Sequence, residues 1–561
     1  MLQTSLSSTS LAGLVAANLA SRPGRIAILL LSTIALAVFA ILPPVIVARI
    51  VDEAVEGRAT AYSAMIAIIA VAVLAVFDAA LTLFRRRITI ATEIAVREER
   101  ASSHFKTMTR LPMMAYGAGN EAALIRSFDE LDTVVEFVTG QAVDLAAQTL
   151  IALSYILLML VVDWRMAAVF VGLSLLGLVH SIWHATAMQK AADRWLPLRD
   201  RRFGFIVECI TSMLTIKSLS AHTHLRGPFE REQATEQAAL RDFRNRRSDG
   251  DAVSRFWTVA TPGIGTAFGV VLLASNQLTA GSLVLFLSVS ATLVGTLSQI
   301  HQHLQSLHEA RASLQRMRHV TREQPELLLD RVRSRPGTPV TVTAEDVTFR
   351  HAAAGHDVLR NVSLRLEPGR HVAMVGVSGV GKTTLAHLLA RLLEPASGRI
   401  SVDGRSCDLD EHRRTVVLVP HTVAIFSTTL RENVRLWDES FDDGTVSDAL
   451  RLAGLESLEK DDPAGLDTLL GAHGNPLSAG QRQRIGLARA FLRKPNALIL
   501  DEATSALDAQ TEHVVLGNLR AQMKHGTLLV ITHRDAVAAS FDRVVRMQDG
   551  GIVEQEGPPG G

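Results

Sequence analysis

The sequence predicts an α-helical membrane domain of six spans followed by an α/β domain. Three observations lead there. Long charge-free runs fill the first ~310 residues and stop. From Val340 the pattern changes to short β-branched runs alternating with helical ones. One glycine-rich loop in that second half lies between a strand-like and a helix-like segment. The 561 residues are 48% hydrophobic and 20% charged, with a mean hydropathy of +0.22, which excludes a disordered chain and is unusual for a soluble enzyme. A net charge of +1 excludes a nucleic-acid binder driven by bulk charge. Cys209 and Cys407 make neither a disulfide framework nor a cysteine zinc site, and fit a reducing compartment.

Residues 26–48 carry no charge over 23 positions, about 34 Å of helix against about 30 Å of hydrocarbon. Residues 60–84 are interrupted only by Asp78. Residues 145–162 and 166–189 are joined by the turn Asp163-Trp164-Arg165. No charge occurs between Arg255 and Glu309, and Ser275-Asn276-Gln277 splits that stretch in two. The first run is too long for a signal-peptide core and lacks a small-residue cleavage site, so it reads as a retained helix. Arg85, Arg86 and Arg87 open the loop after span two. Arg199, Arg201, Arg202, Arg244, Arg246 and Arg247 crowd the loop after span four. These loops are expected in the cytoplasm, with both termini. Helical periodicity across them predicts helices two to five reaching beyond the bilayer, with loop tips at 119–131 and 203–219.

In the second half, His371-Val372-Ala373-Met374-Val375 reads as a buried strand. It leads into Gly376-Val377-Ser378-Gly379-Val380-Gly381-Lys382-Thr383, which fits GxxxxGK[ST], and an apolar helix from Thr384 to residue 393 follows. Glycines there let backbone N–H groups turn onto phosphate oxygens, and the helix N-terminus adds positive charge. Lys382 reaches the β and γ phosphates, and the Thr383 hydroxyl suits Mg²⁺. This is the signature of an α/β P-loop NTPase domain. A second strand, 497–500, ends in Asp501-Glu502. An acid at that strand edge can hold Mg²⁺, and Glu502 is placed to polarise an attacking water. A third strand, 527–531, ends at Thr532-His533, which puts the imidazole at the same edge, in reach of a γ phosphate. The division expected is a membrane domain at 1–317, a charged, proline-bearing linker at 318–339 and a nucleotide-binding domain at 340–561.

The segment LSAGQRQRIGLARAFLRKPNALILDEATSALD at 477–508 resembles the signature-to-D-loop region of ABC transporter nucleotide-binding domains, and six spans fused to one such domain resemble an ABC half-exporter. The resemblance implies Leu477, Ser478, Ala479, Gly480 and Gln481 as the signature, Ser505 to Asp508 as the D-loop and His533 as the switch histidine. It also implies ATP with Mg²⁺, a second copy or a related half-transporter as partner, and residence in a bacterial cytoplasmic membrane. Three positions depart from the pattern. Ala479 replaces a glycine. His351, after Phe349-Arg350, stands where an aromatic stacks on adenine. His421, in Val419-Pro420-His421, stands where the family has glutamine, so a nitrogen replaces a neutral oxygen near Mg²⁺. The cofactor-binding set is thus His351, Gly376 to Thr384, Leu477 to Gln481 and Asp508. Glu502, His533 and His421 are the catalytic set, with Thr383, Asp501 and His421 toward metal.

The cargo path is less legible. Asp78 either lines a cavity or sits at the inner interface. His180 and His184 with Trp183, and His301, His303 and His308, read as a polar cavity wall or helix extension, since no carboxylate or cysteine cluster accompanies them. Thr258, Thr261, Thr266, Ser288, Ser290, Thr292, Thr296 and Ser298 give the last two spans neutral hydroxyls, either a peptide-compatible lining or interhelical contacts. No domain of about 150 residues precedes the first span, so no leader-trimming protease is expected. The stretch 466–495 looks like exporters of small modified antibacterial peptides, including lasso-peptide exporters. The reading is an ATP-driven exporter of a small peptide or amphipathic substrate. Lipid, drug or metal-conjugate cargo, and a membrane-anchored ATPase without transport, remain as alternatives.

Overall fold

The structure, a computed structural model, describes residues 10–116, 121–320, 325–326, 338–351, 355–471 and 476–555. Contacts divide the chain into two units, Met1–Phe105 with Ala122–Arg322, and Lys106–Glu121 with Glu323–Gly561. The first is helical: α1 (Leu11–Ser21), α2 (Pro23–Val55), α3 (Ala61–Met108), α4 (Glu121–Glu136), α5 (Ala142–Val162), α6 (Trp164–Thr211), α7 (Met213–Ser218), α8 (Arg226–Ala274) and α9 (Ala280–Val320). A π turn, Phe137–Gln141, joins α4 to α5. Six helices among the described residues are long and apolar enough to cross a membrane, which bears out the six spans; α1 was not foreseen.

Local chemistry sets the turns. Asp163 starts α6 by accepting from the Arg165 and Met166 amides at 2.9 and 3.1 Å. Asp52, on α2, accepts from the Thr279 hydroxyl at 2.9 Å and the Gly281 amide at 2.6 Å, capping the start of α9. Small residues bring the helices together. A Cβ on Gly265 would lie 2.1 Å from the Phe170 ring, and Phe170 in turn stacks on Phe286 with centroids 5.9 Å apart.

The loop tips differ from expectation. Residues 121–131 are already helical, 119–120 lie outside the described residues, and the chain turns earlier, after Met108, where Pro112 cannot continue a helix. Likewise α6 runs unbroken from 203 to Thr211, so the second turn begins at Ser212 and passes Ser220, whose φ is +51°. Outside the bilayer polar and apolar positions alternate the same way on either side of a break, so periodicity alone does not locate it. The linker expected at 318–339 falls mostly outside the described residues.

The α/β unit contains β1 (Val342–Phe349), β2 (Leu359–Leu366), β3 (His371–Val375), α10 (Lys382–Leu389), β4 (Ser397–Val402), α11 (Leu409–Thr415), β5 (Val416–Val419), α12 (Leu430–Arg435), α13 (Asp443–Leu452) and α14 (Glu456–Lys460). It continues with α15 (Ala479–Arg493), β6 (Ala497–Asp501), α16 (Ala509–Gln522), β7 (Thr527–Ile531), α17 (Asp535–Ala538), β8 (Arg543–Gln548) and β9 (Gly551–Gln555). The main sheet has the order β5-β6-β7-β3-β8-β9, and a small antiparallel sheet has the order β2-β1-β4. Strand periodicity of two divides the core. Ala373, Leu498, Leu500, Leu528 and Val530 face one apolar cluster, and Val372, Met374, Ile499, Leu529 and Ile531 the other. The helix after the phosphate loop is shorter than predicted, because Arg391 turns left-handed (φ +51°) just past its end.

His412 on α11 is 1% exposed, and its Nε2 lies 2.7 Å from the Leu389 carbonyl. Burial holds its pKa below the ordinary 6.5. The unfolded chain therefore takes up a proton that the folded one resists, so stability is complete above pH 6.5 and declines as pH falls toward the lower folded value. Thermal unfolding of the solubilised chain at pH 7.5 and 5.5 should show a smaller acid-induced drop for His412→Gln than for wild type.

Candidate active site

Four neighbouring strands, β5, β6, β7 and β3, pair in parallel. Their C-terminal ends therefore share one edge, the place where open α/β sheets bind ligands. β3 delivers the loop 376–383, β6 ends at Asp501, β7 leads to Thr532 and His533, and β5 leads to His421. Sheet order alone thus assembles residues that lie up to 157 positions apart in sequence, from Gly376 to His533.

The loop needs its glycines for two reasons. Gly379 and Gly381 have φ of +80° and +110°, and a Cβ on Gly376 would lie 2.6 Å from the Met547 carbonyl. Lys382, 5% exposed, donates to the Gly376 and Val377 carbonyls at 2.8 and 2.9 Å. Burial lowers its pKa, while Glu502 and Asp501 act to raise it. Val377, Ser378, Gly379 and Thr383 are exposed along the loop; Val380 and Thr384 are half-buried. The Thr383 hydroxyl lies beside Asp501, whose carboxyl is pushed up chiefly by burial while Thr383 acts to lower it. Asp501 Oδ1 is buried with no hydrogen-bond partner, an orphaned anionic oxygen of the kind a hard cation takes.

Glu502 leaves the strand with φ +50°, a cost of the order of 1–2 kcal/mol for a non-glycine residue. Its amide donates to the Ile531 carbonyl at 3.1 Å. The turned carboxylate has Oε1 2.7 Å from His533 Nε2 and Oε2 3.8 Å from His421 Nδ1. All three expected catalytic residues therefore meet.

Ser478 and Gln481 cap α15 reciprocally, the Gln481 amide donating to the Ser478 hydroxyl at 3.1 Å and the Ser478 amide to the Gln481 side chain at 2.8 Å. Ala479 is an exposed first helical residue, so its methyl meets no strain there. A Cβ on Gly480 would lie 3.0 Å from the Ala506 carbonyl, and Leu477 packs on the core. Asp508 caps α16 through the Thr511 amide at 2.9 Å, and hydrogen bonds from Thr511 hold its carboxyl low. The exposed His351 ring packs edge-on to Phe349, with centroids 4.9 Å apart. Among the described residues no hydrogen bond or ion pair joins 477–481 to the loop 376–383.

Sequence reasoning missed Gln483 and Arg489. Gln483, 5% exposed, donates to the Glu502 carbonyl at 3.2 Å and the Ser505 hydroxyl at 3.0 Å, and accepts from the Ala506 amide at 2.9 Å. Arg489 donates to the Asn433 and Ala424 carbonyls at 2.7 and 2.9 Å, and burial without a carboxylate lowers its pKa to about 10. The available signal was position. Gln483 falls in register with Gly486, Leu487 and Ala490, a polar group within a helical stripe that is otherwise buried. Gln483→Ala should destabilise the unit by about 1–3 kcal/mol and slow ATP turnover. Denaturant unfolding and steady-state hydrolysis measure the two effects.

The family model for the ABC transporter transmembrane region matches residues 26–297, and the ABC transporter model matches 359–505. The cyclolysin secretion/processing ATP-binding protein CyaB of Bordetella pertussis is 28% identical over 538 residues, covering 94% of this chain and 74% of the relative. The leukotoxin translocation ATP-binding protein LktB of Mannheimia haemolytica is 26% identical over 529 residues, with the same coverage. The solved structure of a bacterial Atm1-family ABC exporter with ATP bound superimposes with a TM-score of 0.82 at 20% identity, over 94% of this chain and 95% of that one. The chain belongs to the ABC transporters, integral membrane proteins in which a transmembrane region is fused to a domain that binds ATP and couples its hydrolysis to transport.

Proposed function

We propose that this chain is a half-exporter that works as a dimer in a bacterial cytoplasmic membrane, with its nucleotide-binding domain inside, and moves a small peptide outward. The observation that carries the ATPase assignment is the Glu502 carboxylate, fixed beside His533 and His421 at the edge that also holds Lys382, Thr383 and Asp501. Glu502 polarises the attacking water and takes its proton. His533 Nε2 holds the carboxylate in place and faces the γ phosphate. The 376–383 amides and Lys382 neutralise phosphate charge. Thr383, the orphaned Asp501 oxygen and, on its neutral nitrogen, His421 would hold Mg²⁺, which would supply neutralisation of phosphate charge. His351 would stack on adenine. Signature residues 477–481 have no bond to the loop of their own chain, which favours their use against the loop of a partner copy, with Asp508 beside them.

Peptide cargo rests on the relatives named for secreting cyclolysin and translocating leukotoxin, and on the membrane helices. There the hydroxyls behave differently from expectation. Thr258, Thr266, Ser288, Ser290, Thr292, Thr296 and Ser298 donate to carbonyls of their own helix. Their protons are thus used within the helix, Ser290 and Thr296 are buried besides, and Thr261 alone of the eight has no partner.

Glu502→Gln should keep ATP binding and lower hydrolysis by about 10²–10⁴-fold; hydrolysis at the wild-type rate removes the assigned base. His421→Gln gives Mg²⁺ a neutral oxygen in place of a nitrogen and should lower the Mg²⁺ concentration that half-saturates hydrolysis; an unchanged Mg²⁺ dependence would leave His421 without a special role. In inside-out vesicles, ATP should drive uptake of candidate peptides. Uptake of a lipid dye or glutathione–metal conjugate, with no peptide movement, would replace the cargo while keeping the exporter.

A further inference from the structure

A groove of about 390 Å³ lies within the membrane unit between α6, α8 and α9. Its lining runs along α6 from Ser174 to Met188, about 21 Å at the helical rise of 1.5 Å per residue. That length matches about six residues of extended chain at 3.3 Å each, and the volume spread along it leaves room for a single strand rather than a compact body.

At the inner end, Ser174 is 6% and Thr261 0% exposed, and both line the groove. Neither hydroxyl has a hydrogen-bond partner. Every other hydroxyl singled out on α8 and α9 is back-bonded, so two orphans facing one cavity point to a ligand that completes them. A buried polar group left alone costs about 1–3 kcal/mol. Nothing charged lines that end, and a charged tip would have to shed its hydration there. Midway, Trp257 packs on Gly177, where a Cβ would lie 3.0 Å from its ring, and donates to His180 at 3.3 Å. His184, Ser181 and His301 add hydrogen-bonding groups along the wall, with His301 3.0 Å from Gln305. At the other end Arg247 and Asp251 stand one helical turn apart, neither with a partner among the described residues. Arg246, also there, is paired with Asp242 at 3.1 Å. Arg247 and Asp251 cancel formally, so the mouth excludes neither an acidic nor a basic flank.

We propose that this groove is a cargo subsite for an extended peptide segment of about six residues whose leading end is uncharged. Leading-end amide or hydroxyl groups complete Ser174 and Thr261, backbone amides meet the polar groups repeated along the wall, and Leu178, Met188 and Trp257 take alternate apolar side chains. A lipid tail of that length fits the space but leaves the hydroxyls unpaired. The inference deepens the peptide-export reading and rests on it.

The test uses the full chain in nanodiscs and an N-acetylated, C-amidated hexapeptide alternating serine and leucine as probe. Binding is followed by tryptophan fluorescence, with Trp257→Phe to assign the signal. Ser174→Ala combined with Thr261→Val removes both orphans at nearly constant volume, so folding should persist, which thermal unfolding of the variant checks. Affinity for the probe should fall about tenfold, the worth of two modest hydrogen bonds. The same peptide ending in a free aspartate should bind wild type at least tenfold more weakly. Equal affinity in wild type and double variant, or no probe binding to wild type, overturns the groove assignment. Stronger competition by a short-chain phospholipid than by the peptide overturns its peptide character. Export is read separately: probe binding without ATP-driven uptake of any peptide in vesicles faults the export reading and leaves the groove as a binding site.

Discussion

The parallel pairing of β5, β6, β7 and β3 is the constraint on which the ATP site depends. β3, β6 and β7 are almost wholly buried, and their alternate residues are shared between two apolar clusters. A slip of one residue would exchange the two faces of a strand. The register that satisfies both cores also pairs Asp501 with Ile531, which keeps Asp501 in the ladder and releases the chain at Glu502. The left-handed turn at Glu502 then separates two adjacent carboxylates. Asp501 goes inward to Thr383, and Glu502 goes outward to His533 and His421. Two acids in consecutive positions acquire two environments because hydrophobic packing fixes where the strand ends.

α15 extends that constraint to the neighbouring loops. Its N-terminus carries the signature residues, its second turn carries Gln483, and Arg489 lies nearly two turns further on. Gln483 holds the backbone at Glu502 and the chain at Ser505 and Ala506. Arg489 holds the carbonyls of Ala424 and Asn433, and Asn433, fully buried, bonds both the amide and the carbonyl of Phe426 at 2.9 Å. One rigid helix is therefore attached to the segment after Glu502 and to the segment after His421. A displacement at 477–481 would be felt at both, since the same helix carries both polar side chains.

Much of this was legible in the sequence because it is encoded locally. The strand 371–375 appears with the predicted bounds, the six apolar runs appear as six long helices, and the glycine spacing of 376–383 fits its backbone angles. What escaped was encoded between segments. The turn after Met108 and the run of α6 to Thr211 depend on where a polar helix stops, which period alone does not report. The contact between His421 and Glu502 depends on strand order, which sequence leaves open until family likeness supplies it. Gln483 and Arg489 read as surface residues by type, and only the apolar stripe around Gln483 marks it as buried.

The membrane helices obey the same rule as the sheet, that buried polar groups must find partners. Within hydrocarbon a serine or threonine hydroxyl can turn back to a carbonyl three or four residues earlier, as the α9 hydroxyls do, and so costs little in any orientation. A hydroxyl that does not turn back is held by something else or awaits it. On α6 and α8 two such groups, Ser174 and Thr261, face one cavity, while the wall beyond them gains imidazole and amide groups and finally Arg247 and Asp251. Polarity thus increases from the closed end to the mouth. An incoming chain would exchange water for protein hydrogen bonds stepwise, and only its uncharged tip would reach the part where water cannot follow.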